Sequence, residues 1–136
     1  MRWFLATLLL TASFNTAYSD GSVTRWIGKY PFDVFEESDE RTRFRGIMTA
    51  AELKTFMTAT SVAGPITSDG RYVLAEGCWP RSCDTRAGFF AIEIATGKTV
   101  AVLLFDGKRT IYGAADDQVP RSLAELIRAY LRRVRS

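Results

Sequence analysis

From residue 88 onward the chain alternates between runs suited to strands and dipeptides suited to turns, and this rhythm limits the fold more than any other feature. Gly88-Phe89-Phe90-Ala91-Ile92-Glu93-Ile94-Ala95 and Thr99-Val100-Ala101-Val102-Leu103-Leu104-Phe105 are rich in aromatic and β-branched residues, which fit a pleated, packed surface. Thr96-Gly97 joins them by a tight turn. Asp106-Gly107 then leads into a short run from Arg109 to Tyr112. Asp-Gly is the stronger hairpin signal, because a type I′ turn needs positive φ at both central positions. Upstream, Tyr72 to Ala75 reads as a strand that enters Gly77-Cys78. Four strands joined by short turns or a small loop predict an antiparallel meander.

The flanks follow the helical period instead. Ser38 is placed to cap a helix with Asp39 and Glu40 in its first turn and Phe44 and Ile47 on one face. Thr49-Ala50-Ala51-Glu52 has the form of a capping box, followed by Leu53, Phe56 and Met57 at helical spacing, with Gly64-Pro65 as the stop. Ser122-Leu123-Ala124-Glu125 is a second box downstream of Pro120. Leu123, Leu126, Ile127, Tyr130, Leu131 and Val134 form one apolar stripe, which should pack on the sheet. Arg128, Arg132, Arg133 and Arg135 lie near that helix's C-terminus, where cations suit its dipole. No repeat or linker interrupts the pattern. The expected fold class is α+β: an antiparallel β-sheet meander with helices packed on it, in a single domain over residues 20–136.

The first residues read differently. Met1-Arg2 supplies a charge, Trp3-Phe4-Leu5-Ala6-Thr7-Leu8-Leu9-Leu10 an apolar core, and Ala17-Tyr18-Ser19 the small residues of a cleavage site. These are the parts of a secretory signal peptide over residues 1–19; the alternative is a buried N-terminal helix. The apolar run is shorter than the roughly 20 residues that span a bilayer, and no later run is longer. Export without membrane insertion is the expectation. The 18 Lys and Arg against 15 Asp and Glu give a net charge of +3, weak and mixed in sign, so no nucleic-acid partner is implied.

Two cysteines, Cys78 and Cys83, stand close together in a chain bound for an oxidising compartment, and a disulfide between them is expected. The chain has 0 His, and two thiolates alone do not complete a tetrahedral metal site. The same absence removes Ser-His-Asp and Cys-His catalysis. Carboxylate pairs exist at Glu36-Glu37, Asp39-Glu40 and Asp116-Asp117, but no spacing singles one out for glycoside chemistry. A non-enzyme without metal or cofactor is the expectation, with no catalytic residues.

Between the cysteines lie Trp79, Pro80, Arg81 and Ser82. Trp79 and Pro80 are stiff, and Arg81 ends in a planar fork of donors suited to a carboxylate. Closing so short a loop removes about 2 kcal/mol of unfolded-state entropy. It also spares a partner the cost of ordering the tip. Two readings stand side by side: a presented binding loop, whose aromatic and Arg are typical of binding hot spots, or a staple at a strand end with Trp79 folded back onto the domain.

The segment Glu76-Gly77-Cys78-Trp79-Pro80-Arg81-Ser82-Cys83 resembles the signature loop of the Ivy family, periplasmic inhibitors of vertebrate (C-type) lysozyme from Gram-negative bacteria, whose pattern is Cys-Lys-Pro-His-Asp/Ser-Cys. Tyr30-Pro31-Phe32-Asp33 with the helices after it, and the strands from Gly88 through Tyr112, are similar to the rest of that family's fold. The resemblance implies a protruding disulfide loop that enters the lysozyme cleft and meets the catalytic carboxylates. It makes Cys78, Trp79, Pro80, Arg81, Ser82 and Cys83 the partner-binding loop. Arg81 stands where the family has His, and Trp79 where it has Lys. A permanent cation suits a cleft that holds Glu and Asp carboxylates. The implied partner is C-type lysozyme and the implied compartment is the periplasm, with a homodimer as some relatives form. The alternative is a non-inhibitory envelope binding or structural protein of the same fold with a different partner.

Overall fold

The computed structural model describes residues 21–135; the expected signal peptide over residues 1–19 lies outside the described residues. The elements are α1 (Gly21–Thr24), α2 (Pro31–Glu36), α3 (Ser38–Arg45), α4 (Ala50–Ala59), β1 (Val62–Ala63), β2 (Thr67–Ser68), β3 (Tyr72–Cys78), β4 (Arg86–Glu93), β5 (Thr99–Phe105), β6 (Lys108–Tyr112) and α5 (Arg121–Arg135). A short 3₁₀ turn, Asp116–Gln118, precedes α5.

The meander forms as expected. β3, β4, β5 and β6 are antiparallel neighbours in that order, with Cys78 opposite Ala87 and Arg86 opposite Phe105. Asp106 and Gly107 both adopt positive φ, 51° and 83°, as a type I′ turn requires. β1 and β2 pair in succession along the outer edge of β3, a broken edge strand that the sequence pattern does not announce. Each is two residues long, too short to carry a period.

Both faces of the sheet are covered. Val73, Ala75, Phe90, Ile92, Ala101 and Leu103 pack under the N-terminal helices, where Phe35, Phe44, Phe56 and Phe90 meet ring to ring. Phe89, Ala91, Val100, Val102 and Leu104 face Leu123, Ile127, Tyr130 and Leu131 of α5. Burial on both faces explains why β4 and β5 read as nearly continuous apolar runs rather than alternating ones.

Among the helix ends, the Thr49 box forms in both directions, with Glu52 N–H donating to Thr49 Oγ1 at 3.1 Å and Thr49 N–H to Glu52 Oε1 at 2.9 Å. Two other caps differ from expectation. Ser38 is the first residue of α3 rather than its cap, because α2 ends at Glu36 and Glu37 alone joins the two helices, capping both. α5 starts at Arg121, with Ala124 N–H donating to the Pro120 carbonyl at 2.8 Å. The Ser122 hydroxyl is instead engaged by Arg71 and within reach of the Tyr72 hydroxyl, so tertiary contact overrides the local box. α4 likewise stops before Gly64-Pro65, which breaks the edge strand between β1 and β2 rather than the helix.

Asp39 and Glu40 lie in the first turn of α3 as expected, and Glu40 is in addition buried. It is only 3% exposed and lies between Arg43 at 2.9 Å and Arg25 at 3.4 Å. Arg43 also donates to the Gly97 carbonyl at 2.7 Å, tying α3 to the β4–β5 turn. A carboxylate can be buried here because it is paired and hydrogen-bonded.

Candidate partner-binding loop

The loop is the connection between β3 and β4, and the ladder feeds it directly. Cys78 and Trp79 are strand neighbours and so point to opposite faces. Cys78 packs with the α5 side of the core and Trp79 with the N-terminal helix side. Trp79 N–H extends the ladder by one bond, to the Arg86 carbonyl at 2.8 Å. Cys78 and Cys83 are disulfide-bonded, with Cα atoms 4.8 Å apart. Inside that ring, Ser82 N–H donates to the Trp79 carbonyl at 3.0 Å and closes a turn whose central residues are Pro80 and Arg81. Thr85 and Arg86 N–H then return to the Ser82 carbonyl at 3.1 and 2.8 Å.

Arg81 occupies the third position of that turn with φ 63°, a left-handed conformation uncommon outside glycine, asparagine and aspartate. A type II turn requires positive φ at the third position and favours proline at the second. Pro80 and Arg81 are exposed, and the Arg81 guanidinium makes no hydrogen bond or ion pair among the described residues. A strained tip that holds a cation toward solvent is the kind of backbone outlier from which a functional hypothesis can start.

The two readings of the loop therefore divide between its residues. Trp79 is folded back: its ring is half-buried and meets Phe105 edge-on, with centroids 5.8 Å apart. Arg81 is presented. Ser82 is half-buried and supplies turn bonds, while Cys83 is exposed.

The residues that hold the loop lie beyond the cysteines. Arg86 donates to Asp106 through Nε at 2.9 Å and a terminal nitrogen at 3.2 Å, a two-pronged pair. The same guanidinium lies 4.4 Å from the Phe105 ring centroid and 5.3 Å from that of Trp79. Asp106 N–H donates to the Thr85 carbonyl at 2.9 Å. The β5–β6 turn is thus clasped to the loop base. Asp106-Gly107 is legible in sequence only as a turn; the signal for the clasp is register, since counting back from that turn through the meander sets Arg86 opposite Phe105.

The hydrogen bond from Arg86, helped by its charge, holds the Asp106 carboxyl below its ordinary value of 3.8. A lowered folded-state pKa means that the contribution of the clasp is present above 3.8 and is lost as pH falls through the lowered value. A carboxyl ¹³C titration should show Asp106 titrating below 3.8, and Arg86→Gln should return it toward 3.8. An Asp106 that titrates alike in both proteins would show the pair to be unformed in solution.

On the other side of the loop an open groove of about 540 Å³ runs between β1 and the end of α5, bordered by Val62, Gly77, Cys83, Asp84, Tyr130 and Arg133. Arg133 pairs with Glu76 across it. Burial, reinforced by the Glu76 charge, raises the Tyr130 phenol and keeps it neutral. Among the described residues no group of three His, Cys, Asp or Glu side chains gathers as a metal site would require.

In comparison with known families, the model described as inhibitor of vertebrate lysozyme (Ivy) matches residues 39–133, which include the loop, the clasp and most of α5. No curated protein and no solved structure matches the chain.

Proposed function

Because the chain belongs to the Ivy family, the inhibitors of vertebrate lysozyme, we propose that it is an exported, non-catalytic protein that inhibits a C-type lysozyme by inserting the tip of its Cys78–Cys83 loop into the glycosidase cleft. The observation that carries this reading is Arg81: exposed, unpaired among the described residues, and fixed in a left-handed turn inside a disulfide ring. Glycosidase clefts carry a pair of carboxyl groups flanking the scissile bond. A guanidinium placed between them donates charge-assisted hydrogen bonds that a substrate sugar does not offer, and the plug excludes substrate by occupying its place. No chemistry on the inhibitor is needed.

Preorganisation divides the work within the loop. The turn bonds and the disulfide hold Arg81 in place before the encounter, so binding need not order the tip. Pro80 restricts the backbone beside Arg81, and Trp79 braces the base from inside the domain rather than meeting the partner directly. The domain positions the loop at the end of β3 and β4, away from its covered faces. Export by the residues 1–19 signal would deliver it to the periplasm, where a disulfide persists and where a lysozyme that has crossed the outer membrane would be met.

The test is an inhibition series of the mature protein against a C-type lysozyme. Inhibition is expected, and Cys83→Ser should weaken it through lost ordering of the tip while Arg81 remains present. No effect of the wild-type protein at high micromolar concentration would overturn the reading, leaving the fold to serve a different envelope partner.

A further inference from the structure

Resting on the reading of the loop as a cleft plug, we infer that the β5–β6 hairpin tip is a second arm of the same binding surface, with Lys108 contacting the acidic rim of the partner's cleft. Three observations lead there. The first is mechanical. The hairpin turn and the loop base are joined by the Asp106 N–H to Thr85 carbonyl bond, by the two-pronged Arg86–Asp106 pair, and by the Arg86 guanidinium lying against the Phe105 and Trp79 rings. A partner that seats the loop therefore meets the hairpin tip in a fixed relation to it.

The second is charge. Lys108 is exposed on the residue after the turn, opposite Phe105, and like Arg81 it makes no hydrogen bond or ion pair among the described residues. Unpaired cations also occur on the helix surfaces, as at Lys54 and Arg128, but those are not fixed to the loop. Of the acids at this end, Asp106 is neutralised by Arg86, and Asp84 borders the groove on the loop's other side. The surface shared by the tip and the hairpin is therefore cationic, which suits a cleft whose floor and rim carry carboxylates.

The third is conformational. The Arg86–Asp106 clasp holds the hairpin in position before binding, so the second contact adds little ordering cost. An exposed rim charge of this kind acts mainly on the rate of association and on its salt dependence.

Lys98 provides the control. It is exposed in the turn between β4 and β5, at the opposite end of the sheet, and Lys98→Glu changes the net charge as Lys108→Glu does. Association with a C-type lysozyme is to be measured by stopped flow or surface plasmon resonance for wild type, Lys108→Glu, Lys98→Glu and Arg81→Ala. Lys108→Glu should slow association about 5-fold or more and flatten its salt dependence, while Lys98→Glu stays within about twofold of wild type. Equal rates for the two lysine variants, in a protein that binds and depends on Arg81, would overturn this inference and leave the loop reading intact. Absence of binding by the wild type would overturn the loop reading itself.

Discussion

Gly77→Ala should destabilise the protein by about 2–3 kcal/mol, because the added methyl group has only backbone atoms to displace. Gly77 on β3 lies opposite Gly88 on β4, and the chain leaving α4 crosses the sheet over this pair. A Cβ at Gly77 would lie 2.8 Å from the Thr60 carbonyl oxygen, 2.9 Å from Thr60 Cα and 2.9 Å from the Val62 carbonyl oxygen. All three are backbone atoms, so no rotamer change relieves them. The crossing itself must lift, and with it the pairing of β1 to the end of β3, where the loop begins.

Gly88→Ala offers a contrast from the same spot. Its Cβ would meet Thr60 Cγ2 at 2.6 Å and Phe56 Cε2 at 3.1 Å, both side-chain atoms. Thr60→Ser removes that methyl and keeps a hydroxyl able to bond back to the Phe56 and Met57 carbonyls, as Thr60 does at 3.1 and 3.2 Å. In urea unfolding, Thr60→Ser should recover more than half of the Gly88→Ala loss and none of the Gly77→Ala loss. Equal recovery in both backgrounds would mean that the backbone crossing is looser than the geometry describes.

Arg81→Ala should weaken lysozyme inhibition by roughly 10- to 150-fold, since a hydrogen bond to a charged group is worth about 1.5–3 kcal/mol net. Stability should barely change, because Arg81 is exposed and holds nothing in place within the domain. Its positive φ introduces a second possible cause, a change in tip conformation, which Arg81→Asn separates. Asparagine tolerates the left-handed region better than alanine but carries no cation. If the guanidinium makes the contact, Asn inhibits as poorly as Ala. If the backbone shape matters instead, Asn restores most of the inhibition. Arg81→His, which supplies the residue of the family pattern, should inhibit more strongly than the wild type. Inhibition by Arg81→Ala equal to that of wild type would remove the loop tip from the contact.

The meander, its turn at Asp106-Gly107, the Thr49 box and the apolar stripe of the last helix were legible in the residues because each depends on neighbours a few positions away. Period, turn chemistry and capping are local physics. The disulfide was legible too, since close spacing leaves a short closed loop as the simple outcome of oxidation. What failed was local logic overruled at a distance: Ser122 gives up its cap to Arg71 and Tyr72.

The candidate site shows the same division. The sequence by itself determined that a stiff ring with an arginine would sit at a strand end, because all of its covalent parts lie within six consecutive residues, Cys78 to Cys83. Only the tertiary structure decided that Trp79 turns inward while Arg81 turns outward, and that Arg86 clasps the loop to the β5–β6 turn. Those outcomes depend on what the sheet register places opposite each residue: Phe105 opposite Arg86, a core face for Trp79, and solvent for the tip. Register is a property of paired strands, and no single strand encodes it alone.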